Sequence, residues 1–193
     1  MIIPVQSKVS APSNNHILFI SGGARSGKSC YAEQRAEVVV GKRSYIATCP
    51  VIDAEMDERI AEHRRQRAGK GWHTIEEPLQ LAQALRDCSD SDVVVVDCLT
   101  LWVNNLLYQA EQQQQTLSEH QISMLSLDVI ESAKLGERTV VFVTNEVGMG
   151  LVPASAVSRC YRDLIGRCNQ TIAAQADEAV FMVSGLPFVL KTI

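Results

Sequence analysis

The segment Gly22–Ser29 fits the phosphate-binding pattern G-x-x-x-x-G-K-[ST], and it constrains the fold more than any other feature of the chain. An apolar run precedes it at 17–20, and a helix-like stretch follows it at 29–40. This context matters because a strand must enter the loop and a helix must leave it before backbone N–H groups converge on one phosphate. A chance Gly/Ser turn would not need these neighbours. We therefore predict a nucleoside triphosphate site formed by Gly22, Gly23, Ala24, Arg25, Ser26, Gly27, Lys28 and Ser29.

Apolar runs and helix-like segments alternate along the rest of the chain. Runs typical of strands occur at 17–20, 44–47, 93–96, 139–143 and 179–183. Helix-like segments occur at 29–40, 53–68, 78–86, about 117–135 and 154–176. This alternation predicts an α/β fold, a single P-loop NTPase-type domain whose mostly parallel sheet is flanked by helices. The turn residues at 184–187, followed by an apolar run, predict an antiparallel edge at the C-terminus.

Composition limits the domain organisation and the partners. The length of 193 residues suits one domain, which we place at 17–193, and the Pro-, Ser- and Asn-rich residues 1–16 are predicted to form a flexible leader. The net charge of −4 argues against a general nucleic-acid binder. No apolar run reaches the length of a membrane span. The six cysteines have no C-x-x-C or zinc spacing, so we predict reduced thiols and a cytoplasmic location.

A second phosphate element follows the valines at 93–96. Asp97 ends this run, and an acid at the C-terminal end of a buried strand is the expected second contact to Mg²⁺ in a protein with a phosphate loop. Ser29 supplies the other predicted Mg²⁺ ligand. The alternative is an acid that only caps a loop at the end of a strand.

Residues 59–73 form a local basic segment with five Lys or Arg residues against one acid. On a helix, Arg59, His63 and Arg67 would share one face. The segment could be a solvated basic helix. It could also be a reactive site, because neighbouring positive charge disfavours an imidazolium and a neutral His63 could attack a phosphorus centre. Spacing alone leaves both interpretations open.

Five segments together resemble the bifunctional adenosylcobinamide kinase / adenosylcobinamide-phosphate guanylyltransferase family. They are Gly-Gly-Ala-Arg-Ser-Gly-Lys-Ser at 22–29, Tyr-Ile-Ala-Thr at 45–48, Glu-Met-Asp-Glu-Arg-Ile-Ala-Glu-His-Arg at 55–64, Asp-Cys-Leu-Thr at 97–100 and Thr-Asn-Glu-Val-Gly-Met-Gly at 144–150. The resemblance runs from about 17 to 191 in the family's order. The phosphate loop is unspecific, whereas the combination of the last segment with the His-Arg segment is highly specific.

The resemblance implies two reactions. In the first, ATP or GTP phosphorylates the hydroxyl of the aminopropanol arm of adenosylcobinamide. In the second, GTP donates GMP to adenosylcobinamide phosphate through a guanylyl-histidine, giving adenosylcobinamide-GDP and pyrophosphate. His63 occupies the position of that catalytic histidine.

The resemblance also implies nucleotide contacts outside the phosphate loop and a homotrimer. The implied contacts are Ala47, Thr48, Cys49, Arg64, Arg65, Gln66, Arg67, Glu76 and Asp97. Glu76 could instead be a surface acid, because the residues before it look like a loop. Asn145 and Glu146, at the end of the 139–143 run, are expected to order the site or the phosphate acceptor. The extra leader and Cys49 are departures from the family pattern, and neither undermines the resemblance.

Two other functions remain alternatives. The chain could be a P-loop small-molecule kinase without nucleotidyl transfer, in which the His63 segment only clamps phosphate. It could also be a nucleotide-dependent switch, although no partner surface is identifiable in the sequence.

Overall fold

The computed structural model describes residues 15–50, 65 and 67–193. Its strands are β1 (His16–Gly22), β2 (Arg43–Ala47), β3 (Trp72–Glu76), β4 (Val93–Asp97), β5 (Thr139–Val143), β6 (Glu178–Val183) and β7 (Leu186–Thr192). Its helices within these residues are α1 (Lys28–Glu37), α2 (Leu81–Asp87), α3 (Leu99–Gln112), α4 (Glu119–Ala133) and α5 (Ala156–Gln175).

The seven strands form one sheet in the order β3-β2-β4-β5-β1-β6-β7. Every neighbouring pair is parallel except β6 and β7, which are antiparallel. The predicted α/β class, the mostly parallel sheet and the antiparallel C-terminal edge are confirmed. Because β1, β2, β4 and β5 run in one direction, their carboxyl ends lie along one edge of the sheet.

Alternate residues of the central strands pack on opposite faces of the sheet. Val94 and Val96 join the core with helices α2 to α5, whereas Val93 and Val95 join the core beneath α1. All four valines at 93–96 have no exposed surface, as expected for a strand covered on both sides. Complete burial of a valine contributes about 1.5 kcal/mol or more to folding.

Two elements were missed by the sequence patterns. The residues before Glu76 were interpreted as a loop, and they form strand β3 at the sheet edge, paired only with β2. Its side chains are half-buried or exposed, so it lacks the apolar run that marked the other strands. Helix α3 was not predicted, because it begins two residues after the end of β4 without a Gly or Pro to separate them.

Some predictions fall on residues outside the described ranges. These include the leader up to residue 14 and most of the helix predicted at 53–68, of which Arg65 and Arg67 are described and are helical. Within the described ranges, no helix is long and apolar enough to cross a membrane. All six cysteines lie in these ranges and are free thiols.

Candidate active site

The predicted phosphate loop connects the end of β1 to the start of α1. Gly27 is the N-cap of α1 and adopts a left-handed conformation with φ of 93°. No side chain caps this helix end, and its first turn contains no acid. The first backbone N–H groups of a helix lack intrahelical partners and carry partial positive charge. The loop therefore presents the donors that a phosphate group requires.

Backbone hydrogen bonds fix the loop from both sides of β1. The Glu146 N–H donates to the Gly22 carbonyl at 3.0 Å, on the β5 side. The Gly185 N–H, in the turn between β6 and β7, donates to the Ser26 carbonyl at 3.0 Å. Both contacts come from residues far away in the sequence. The loop is thus tied to the sheet on both of its sides.

The side chain of Lys28 folds back against the earlier residues of the phosphate loop. Its Nζ donates to the Gly23 carbonyl at 2.6 Å and lies 3.4 Å from Ser26 Oγ, and the side chain is buried. Burial lowers the pKa of the Lys28 ammonium, and the nearby Asp97 carboxylate opposes that shift. A buried cation held by neutral acceptors can be stabilised further by an anion in the loop.

Three strand ends align at the same edge of the sheet. Ala47 at the end of β2 is in register with Asp97 of β4 and with Glu76 of β3. Glu76 and Asp97, both predicted nucleotide contacts, therefore lie on either side of Ala47, which is a third predicted contact. Glu76 is exposed and Asp97 is half-buried.

Tyr45 holds the Asp97 carboxylate. Its phenol donates a hydrogen bond of 2.7 Å to Asp97 Oδ2. Burial, reinforced by Asp97, raises the pKa of Tyr45 well above its ordinary value, so the phenol remains a donor at physiological pH. This contact was not foreseen, although Tyr45 belongs to one of the segments that carried the resemblance.

Thr48 and Cys49 follow β2 at this edge, with different side-chain environments. Thr48 is fully buried, and its Oγ1 donates to the Cys98 carbonyl at 2.7 Å and accepts from the Cys98 N–H at 2.8 Å. These bonds join the end of β2 to the residue after Asp97. Cys49 is half-buried, with Sγ 3.6 Å from the Pro50 carbonyl oxygen.

The basic segment is described only at its C-terminal end. His63, Arg64 and Gln66 lie outside the described residues. Arg65 is exposed, whereas Arg67 is buried. The Arg67 guanidinium lies 3.6 Å from the centroid of the Tyr45 ring, which places it one side chain away from Asp97.

A buried polar network, also not foreseen, positions the segment after β5. Thr100 Oγ1 accepts a hydrogen bond of 2.6 Å from the Asn145 N–H, and Thr144 Oγ1 donates to Asn169 Oδ1 at 2.8 Å. The Thr100 and Thr144 hydroxyls lie 3.2 Å apart. The network links α3 and α5 to the residues leading to Glu146, whereas the ordering role expected of Asn145 and Glu146 stays a prediction. The sequence signal for this network was a pair of threonines, Thr100 and Thr144, which lie in two of the segments that carry the resemblance.

The oxygen ligands at this edge suit Mg²⁺. Ser29 in the first turn of α1 and Asp97 at the end of β4 provide a hydroxyl and a carboxylate, the hard donors that Mg²⁺ prefers. The described residues contain no group of three or more His, Cys, Asp or Glu side chains that could hold a metal unaided.

The fold and the site define a nucleotide-binding protein of the P-loop class. The flagellar accessory protein FlaH from Methanocaldococcus jannaschii has a similar fold, with a TM-score of 0.55 at 11% identity over 93% of this chain and 80% of that chain. The chain belongs to the cobinamide kinase / cobinamide phosphate guanyltransferase family, whose model matches residues 18–190, and it is a transferase.

Two relatives illustrate how much of the chain the family likeness covers. The bifunctional adenosylcobalamin biosynthesis protein CobP of Pseudomonas aeruginosa is 42% identical over 89% of this chain and 95% of its own length. The bifunctional adenosylcobalamin biosynthesis protein CobU of Escherichia coli is 37% identical over 91% of this chain and 99% of its own length. The resemblance stated from the sequence is therefore confirmed at the level of the family.

Proposed function

We propose that the chain phosphorylates adenosylcobinamide with ATP or GTP and then transfers GMP from GTP to adenosylcobinamide phosphate. The products of the second reaction are adenosylcobinamide-GDP and pyrophosphate. The observation that carries the proposal is the phosphate loop in a chain of this family, with Lys28 buried inside the loop and Asp97 nearby.

In the kinase reaction, the loop N–H groups and Lys28 hold the triphosphate, and the acceptor hydroxyl attacks the γ-phosphorus. One P–O bond forms as the bond to the leaving nucleoside diphosphate breaks, and the hydroxyl proton is released to solvent. Ser29 and Asp97 would hold Mg²⁺, which supplies positive charge to the phosphate oxygens. Lys28 neutralises charge on the leaving group.

In the guanylyl reaction, a neutral ring nitrogen of His63 attacks the α-phosphorus of GTP. One P–N bond forms, one P–O bond breaks and pyrophosphate leaves. A phosphate oxygen of adenosylcobinamide phosphate then displaces His63, which restores the free imidazole. This mechanism is supported by the sequence resemblance around His63 and by the position of Arg67, four residues later in the sequence, against the side chain that binds Asp97.

GTP labelled in its α-phosphate tests this mechanism directly. The wild-type protein is expected to retain covalent label after denaturation and to release it when adenosylcobinamide phosphate is added. His63→Ala should lose the label but still phosphorylate adenosylcobinamide from γ-labelled nucleotide. Lys28→Met should lose both activities, because the loop serves both reactions.

Each alternative function predicts a different result in these assays. Wild-type phosphorylation without any covalent GMP would favour the small-molecule kinase. Absence of turnover without a protein partner would favour the nucleotide-dependent switch. Retention of label by His63→Ala would refute the role of His63 while leaving the kinase intact.

We further propose that the active protein is a cytoplasmic homotrimer that binds Mg²⁺ nucleotides and the corrinoid substrate, without nucleic acid. Light scattering of the purified protein would measure the oligomeric state. A monomer with full activity would contradict the trimer as the active form.

A further inference from the structure

Arg67 is a buried cation whose contacts come from two different elements. Only 5% of its surface is exposed. Its guanidinium lies 3.6 Å from the centroid of the Tyr45 ring in β2, and its NH1 lies 3.7 Å from Glu33 Oε1 in α1. A planar guanidinium stacks on an aromatic face in a way that an ammonium does not. The Tyr45 ring and the Glu33 charge therefore both contribute to the position of Arg67.

Tyr45 connects this cation to the strand end that carries Asp97. Its ring contacts Arg67 and meets the edge of the Trp72 ring, with centroids 5.9 Å apart and an interplanar angle of 89°. Its phenol donates to Asp97 Oδ2 at 2.7 Å. A carboxylate can accept hydrogen bonds at both oxygens. When the phenol holds Oδ2, the direction in which Oδ1 points is also defined.

We propose that Tyr45 is a positioning residue that orients the Asp97 carboxylate towards the magnesium nucleotide, and that Arg67 holds the Tyr45 ring in place for this purpose. The proposal rests on the proposed function, because it assigns Asp97 to the nucleotide site. Arg67 lies four positions after His63 in the sequence.

Tyr45→Phe separates this role from simple packing. The variant keeps the ring, and with it the contacts to Arg67 and Trp72, but removes the hydrogen bond to Asp97. Ser44→Ala is the matched control, because Ser44 is the adjacent buried residue of β2 and its hydroxyl bonds to Ser91 Oγ at 2.8 Å, not to Asp97. Each variant thus loses one buried hydroxyl from the same strand.

The measurement is binding of an α,β-methylene GTP analogue, which cannot transfer GMP, as a function of Mg²⁺ concentration. A hydrogen bond to a charged group is worth enough to change an equilibrium by about tenfold. Tyr45→Phe should therefore raise the Mg²⁺ concentration for half-maximal binding by about tenfold, while Ser44→Ala should change it by less than about twofold. Thermal unfolding of both variants checks that the fold is retained.

Arg67→Lys tests the second half of the proposal. It keeps the charge near Glu33 but loses the planar stack, so we expect a rise of about threefold in the Mg²⁺ midpoint and a shift in the emission of Trp72, which contacts the same ring. The double variant with Tyr45→Phe should be no worse than Tyr45→Phe alone, because Arg67 acts through the phenol.

The outcomes separate the inference from the function on which it rests. If the wild type shows no Mg²⁺-dependent binding, the proposed function fails. If the wild type binds and Tyr45→Phe matches Ser44→Ala, the positioning role of Tyr45 is wrong although the function stands. If Arg67→Lys and Tyr45→Phe act additively, Arg67 does not act through Tyr45.

Discussion

Gly22→Ala should disrupt the phosphate loop through a single methyl group. A Cβ at this position would lie 2.6 Å from the Met182 carbonyl oxygen and 2.9 Å from Ser26 Oγ. Gly22 also has φ of 154°, which L side chains rarely adopt. The serine hydroxyl could rotate away, but the carbonyl oxygen belongs to the backbone of β6, where Met182 is in register with Gly22.

The expected loss follows from that contact. Real Cβ atoms do not approach a backbone oxygen so closely, so β1 and β6 must separate at this point or the loop must move. Overpacking of this kind costs about 1–3 kcal/mol, and the unfavourable φ adds to it. We expect a decrease of about 2–4 kcal/mol in the free energy of unfolding, which lowers the melting temperature by roughly 5–12 °C in a domain of this size.

The assay is thermal unfolding with and without GTP. Gly23→Ala is the control for stability, because a Cβ at Gly23 would meet nothing within 4 Å. The melting temperature of Gly23→Ala should stay within about 2 °C of the wild type, because surface substitutions usually change stability by less than about 0.5 kcal/mol. Added GTP should stabilise Gly22→Ala less than the wild type, since the displaced loop binds phosphate less well. Equal melting temperatures for the two variants would refute the reasoning.

Two further predictions concern side-chain contacts that join separate elements of the fold. Arg35 forms two hydrogen bonds of 2.7 Å with Glu178 and lowers the pKa of that carboxyl to about 2, so this stabilisation is complete above the ordinary pKa of 4.5 and is lost as the pH falls towards 2. Glu178→Gln should lower the free energy of unfolding by about 2 kcal/mol at neutral pH. In urea unfolding at a series of pH values, the free energy of unfolding of the variant should fall less steeply towards acid pH than that of the wild type. An unchanged dependence on acid pH would contradict this prediction. Thr100→Val leaves the Asn145 N–H without its acceptor and should cost about 1–2 kcal/mol, which chemical unfolding would measure. Wild-type stability of Thr100→Val would show that the network does not hold the segment after β5.

Sequence patterns predicted the elements that are most buried or most constrained by chemistry. The valines at 93–96 formed an unmistakable strand because both faces of β4 are covered. Strand β3 was missed because an edge strand with partly exposed side chains needs no apolar run. Helix α3 was missed because its start is determined by the direct continuation of the chain from β4, not by a capping residue.

At the site, too, residues with a local sequence pattern could be predicted and residues without one could not. The positions of Lys28 at the start of α1 and of Asp97 at the end of β4 could be predicted, because the phosphate loop and the strand end each have a local pattern. The role of Tyr45 could not, because its partner lies 52 positions away and only the register of β2 with β4 brings the two together. The position of Arg67 depends in turn on contacts with β2 and α1, which no spacing in its own segment reveals.

The contacts at the site suggest how one loop could serve two reactions. The phosphate loop is bound to its neighbours on both sides through backbone hydrogen bonds from Glu146 and Gly185, which help to fix its geometry. A preorganised loop stabilises charge in any reaction that uses it. We therefore expect the phosphate loop, together with Asp97 and the side chains that position it, to serve both transfers.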